Sequence, residues 1–142
     1  MKRALIILFV VVALGAGWYF FLRPTNQITN GGVAYVVDME GTTPTSREGA
    51  QALSYTRGET VIILATPDKS VTSAECPSVA PVKDRDITIG STSVPLCLTT
   101  NGGIAMSPFV HEGTWHLVSM FSTHYADVEL AEEIFSKISV KD

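Results

Sequence analysis

The chain has 142 residues, 46% of them hydrophobic and 17% charged, with a formal net charge of −4 at pH 7. That length and apolar content suit one small domain that buries its own core without several disulfide staples. Beyond Arg23, seven Lys or Arg stand against fourteen Asp or Glu, a balance that argues against nucleic acid and anionic lipid headgroups as partners.

In chain order, the first feature is the run from Ala4 to Leu22, which carries no charge and is bounded by Lys2 and Arg3 before it and by Arg23 and Pro24 after it. As a helix it would span roughly 28 Å, close to the hydrocarbon thickness of a bilayer. Trp18, Tyr19, Phe20 and Phe21 beside Arg23 match an interfacial helix end. A cleaved secretory signal is the competing reading, with small residues at Ala13 and Gly15. The basic residues before the run place the amino terminus in the cytoplasm. The expectation is therefore a single-pass protein of a bacterial inner membrane. It has an anchor at 1–23 embedded in the bilayer through residues 4–22, a polar linker at 24–32 and a periplasmic domain at 33–142.

Within that domain, Val33 to Asp38 is β-branched and aromatic enough for a strand. Either Ser46 caps a short helix through Leu53, or Gln51 to Arg57 is instead a strand turning at Gly58. Thr60 to Thr66 is a continuous apolar run of strand length that ends at Pro67, as a central buried strand does. Residues 67–85 form a long loop holding Cys76. Asp86 to Ile89 with Val94 to Thr99, then Ile104 to Val110 and Thr114 to Thr123, read as a meander. Val128, Ala131, Ile134, Phe135 and Ile138 lie at helical spacing, with Asp127 as the cap. The predicted fold is α+β: an amino-terminal transmembrane helix, then an antiparallel sheet of five or six strands with a carboxy-terminal amphipathic helix on one face.

Cys76 and Cys97 are the only cysteines. An even pair without Cys-x-x-Cys spacing predicts a disulfide, which suits an oxidising compartment. In the chain-entropy picture such a bridge is worth roughly 3 kcal/mol.

The stretch His111-Glu112-Gly113-Thr114-Trp115-His116 invites a metal reading, because a zinc protease motif also begins with His-Glu. That motif sets its histidines four apart on a helix. Here they are five apart around residues that suit a turn and a strand, so a hairpin with one half-exposed histidine is expected and no metal or cofactor. Asp84 and Asp86 around Arg85 read as solvated charges. No nucleophile elbow or activated cysteine is present.

These features predict a non-catalytic, membrane-anchored domain that binds another protein through Phe109, His111, Glu112, Trp115 and His116. An acidic surface fits a basic toxin or enzyme, so an immunity or inhibitor protein leads. The alternatives are an accessory subunit of an envelope or secretion complex, and a metal-dependent hydrolase using His111, Glu112 and His116.

Overall fold

The computed structural model describes residues 2–21 and 24–142, the side chains of residues 2–5 and 17–21 excepted. The chain begins with helix α1 (Lys2–Phe21), followed by five strands: β1 (Gln27–Asn30), β2 (Val33–Val37), β3 (Thr43–Arg47), β4 (Ala50–Arg57) and β5 (Glu59–Pro67). After a long loop come β6 (Val82–Ile89), β7 (Thr92–Leu98), β8 (Ile104–His111) and β9 (Thr114–Phe121), then helix α2 (Val128–Ser136) and β10 (Ile138–Lys141).

Among the described residues no helix is long and apolar enough to cross a membrane. Helix α1 has 20 residues, and of its side chains those of residues 6–16 are described. Its large apolar side chains, from Ile6 to Leu14, are exposed. This finding corrects the expected anchor at residues 4–22, and with it the single-pass, inner-membrane and periplasmic placement. The side chains of Lys2, Arg3, Trp18 and Tyr19, and all of Leu22 and Arg23, on which the span and its orientation rested, lie outside the described residues.

The fold class is corrected as well. The chain is mostly β, with two antiparallel sheets in place of one. One has three strands in the order β1-β2-β10, and the other has seven in the order β3-β4-β5-β9-β8-β7-β6. Residues 24–32, read as a linker, contribute β1, which pairs with β2 from Gln27↔Val36 to Asn30↔Val33. Its polar composition suits an edge strand, where alternate side chains face water. The short helix considered at Ser46 is instead the β3–β4 hairpin. Its two-residue turn, Glu48-Gly49, has both φ angles positive, at 51° and 82°, the backbone of the type I′ turns that match strand twist.

The carboxy-terminal helix is present but short. The Asp127 side chain accepts a hydrogen bond from the Leu130 amide at 3.0 Å, and Leu130, Ala131, Ile134 and Phe135 form its buried face. Ile138 fits the same helical period, yet it opens β10, which pairs with β2 from Ile138↔Val37 to Lys141↔Ala34.

The core lies on one face of the seven-stranded sheet, and two different elements cover it. The small sheet brings Ile28, Tyr35 and Val37 towards Leu53, Val61 and Ile63, and α2 brings Ile134 and Phe135 towards Ile87, Val94 and Leu96. Burying a large aliphatic or aromatic side chain contributes about 1.5–3 kcal/mol, so this shared face supplies most of the fold's cohesion. The expected disulfide Cys76–Cys97 is formed and ties the long loop to β7. Because β10 lies against β2, the chain segment just beyond Lys141 arrives beside the tip of the β8–β9 hairpin.

Candidate functional site

Strands β8 and β9 are joined by the two-residue turn Glu112-Gly113, with φ of 48° and 77°, and their register sets His111 opposite Thr114 and Phe109 opposite His116. Side chains two apart on a strand share a face, and directly paired residues share it too. Phe109, His111, Thr114 and His116 therefore project from one face of the hairpin. The five-residue spacing of the two histidines, which rules out a helical zinc motif, is what makes them diagonal neighbours across a two-residue turn.

His116 is 2% exposed. Its ring stacks on Phe109 with centroids 5.1 Å apart and planes 22° apart, and Tyr35 of β2 meets it edge-on at 5.5 Å. The Tyr35 hydroxyl lies 2.7 Å from His116 Nδ1. Burial raises the Tyr35 pKa well above its ordinary value, so the hydroxyl keeps its proton and is able to donate to Nδ1. Burial, and then the neighbouring His111, lower the His116 pKa. The ring is accordingly neutral, and with the Tyr35 hydroxyl donating to Nδ1 its proton is on Nε2. Nε2 is buried and has no hydrogen-bond partner.

At the mouth of the same cavity stand three groups of another kind. His111 Nε2 is 3.2 Å from a side-chain oxygen of Asp142. The potential ligand atoms of His111, Glu112 and Asp142 all lie within 4.8 Å of one another. The cavity has a volume of about 370 Å³; Val33 and Ala34 wall it on one side and Val140 to Asp142 on another, with His111, Glu112 and His116 completing it. A larger cavity of about 560 Å³ runs between β1 and β3, but its lining, from Pro24 and Gln27 to Pro44 and Gln51, includes no titratable side chain.

Of the five residues expected to bind a partner, the structure gathers Phe109, His111, Glu112 and His116. Phe109 and His116 are buried, His111 is half-buried and Glu112 is exposed. Trp115 pairs with Val110 and so projects from the opposite face. Sequence reasoning missed Tyr35 and Asp142. The first lies in a correctly anticipated strand, but its partner is 81 positions away, and the second follows a strand that was read as helix. Asp84 and Asp86 are occupied by ion pairs, at 2.7 Å to Arg85 and 2.9 Å to Lys83. No protein-family model, no curated protein and no solved structure matches the chain.

Proposed function

We propose that the chain is a non-catalytic protein-binding domain of the inhibitor or immunity type, whose contact region is the β8–β9 tip together with Asp142. The supporting observation is the make-up of that region. Exposed Glu112 and Asp142 sit beside half-buried Val33 and Val140, apolar side chains with a charged rim as in protein interfaces. The twofold excess of acidic over basic residues beyond Arg23, fourteen against seven, favours encounter with a basic partner, such as an enzyme with a cationic substrate cleft.

The test uses the full chain as bait in parallel with the double variant Glu112→Lys, Asp142→Lys, at low and high salt. A basic protein retained by the wild type, lost from the variant and released by salt is the expected result, and adding the chain to that purified protein should inhibit it. Identical captured sets for wild type and variant would reject this contact region.

A further inference from the structure

The Nε2–H of His116 is a buried donor that lacks an acceptor. Leaving such a group unsatisfied costs about 1–3 kcal/mol, and His116 is among the residues that line the cavity, where an oxygen reaching its ring would relieve that cost. At the cavity mouth, His111, Glu112 and Asp142 present one imidazole nitrogen and two carboxylates within 4.8 Å of one another. We propose that these three residues bind a single divalent transition-metal ion of the zinc class, with His116 positioned to donate Nε2–H to an oxygen the ion carries.

The geometry is close to what such an ion needs. Ligand atoms about 2.0–2.2 Å from a tetrahedral zinc ion stand roughly 3.3–3.6 Å apart, and His111 Nε2 and the Asp142 oxygen are already at 3.2 Å. The remaining adjustment falls on Glu112, which is exposed and free to change rotamer. A set of one nitrogen and two carboxylates leaves a fourth position for water, which supplies the missing oxygen. The same set is poor for Ca²⁺, which takes six to eight oxygens, and for Mg²⁺, which keeps most of its own water. Two carboxylates also balance the ion's charge. Without metal, the His111–Asp142 contact is a single solvent-exposed hydrogen bond at 3.2 Å, so little is lost when the ion replaces it. His116 is a positioning residue here, held by Tyr35 and Phe109 in the manner of the outer partners that orient metal-bound groups.

Glu112 and Asp142 also belong to the proposed contact region, and the two readings are separated by testing this one on the chain alone. The full chain is stripped with chelator and titrated with Zn²⁺, Ca²⁺ and Mg²⁺ by calorimetry, and with Co²⁺ by visible absorption. The expected result is one equivalent of Zn²⁺ and a low-coordinate cobalt spectrum. His111→Ala, Glu112→Gln and Asp142→Asn should each weaken binding by more than the roughly tenfold that losing an outer partner costs, with Glu48→Gln as an unchanged control. Tyr35→Phe, which frees the His116 ring, should shift the cobalt spectrum and weaken affinity about tenfold. An unchanged spectrum and affinity in that variant would overturn the role of His116. Absence of saturable Zn²⁺ binding, undiminished binding in His111→Ala and Glu112→Gln, or Ca²⁺ bound as tightly as Zn²⁺ would each overturn the site.

Discussion

The hairpins β3–β4 and β8–β9 turn on the same dipeptide, Glu48-Gly49 and Glu112-Gly113, with all four residues at positive φ. Each turn leaves a matched register: Arg47↔Ala50 and Thr45↔Ala52 in the first, His111↔Thr114 and Phe109↔His116 in the second. Their surroundings differ. Strand β3 is the edge of its sheet, and Arg47 lies over the Phe121 ring at 3.8 Å. The second hairpin meets β2 and the end of β10, which bring Tyr35 and Asp142 against it. Turn chemistry thus fixes which side chains become neighbours. Both hairpins wall a cavity with the small sheet, and both hold a buried donor without a partner, Arg47 Nε and His116 Nε2; what the second adds is a set of titratable groups around its cavity.

The largest expected contrast lies behind the turns. Phe109→Ala should cost about 3–5 kcal/mol, because it removes a buried aromatic ring and leaves a cavity under His116. Thr45→Ala, at the matching place in the exposed hairpin, should stay within about 0.5 kcal/mol. Chemical denaturation of the full chain measures both, and equal losses would show that the second sheet contributes nothing special. Next in size is Tyr35→Phe, which leaves His116 Nδ1 buried without a donor and should cost about 1–3 kcal/mol.

How far this contrast was legible in the sequence follows from the range of each interaction. The buried run Thr60 to Thr66 falls inside β5, and the cysteine pair gave its disulfide, because both signals are local or compositional. The turn before Thr114 was marked by Gly113, yet Glu112 at positive φ leaves no signature, since most L-residues avoid that region. Testing the two histidines against a helical template hid their shared face. A two-residue hairpin template would have exposed it. Asp142 and Tyr35 reach the site through the pairing of β10 with β2, a contact between chain ends that no periodicity records. β10 is itself four residues long, too short for alternation to compete with the helical period through Ile138. The charge-free run after Arg3 reported hydropathy over a full span, whereas side chains are described there only for residues 6–16.

A smaller effect concerns acid. The His116 pKa is lowered by burial and by His111, so the unfolded chain binds a proton at higher pH than the folded one. Stability from this group is complete above the unfolded value of about 6.5. As pH falls below it, stability is lost with a slope of up to about 1.4 kcal/mol per pH unit, ending at the folded-state pKa. Denaturation of the metal-free chain between about pH 7 and pH 5 should show that slope and His116→Gln should flatten it. Equal slopes in the two would mean that other groups carry the acid sensitivity. The first hairpin, which holds no histidine, should add nothing.

The smallest effect separates turn from site most cleanly. A non-glycine residue in the left-handed region costs about 1–2 kcal/mol, and Asn tolerates that backbone better than Glu. Glu48→Asn and Glu112→Asn should therefore each stabilise the chain by up to about 1 kcal/mol, and by similar amounts, because the two turns share their backbone. Zinc titration should then divide them. The Glu48 variant keeps its affinity, whereas the Glu112 variant gains the same stability and loses a ligand. If Glu112→Asn instead destabilised the metal-free chain while Glu48→Asn stabilised it, the Glu112 carboxylate would be holding the hairpin to β10 in its own right. The strained backbone would then be retained for cohesion and not for a bound ion.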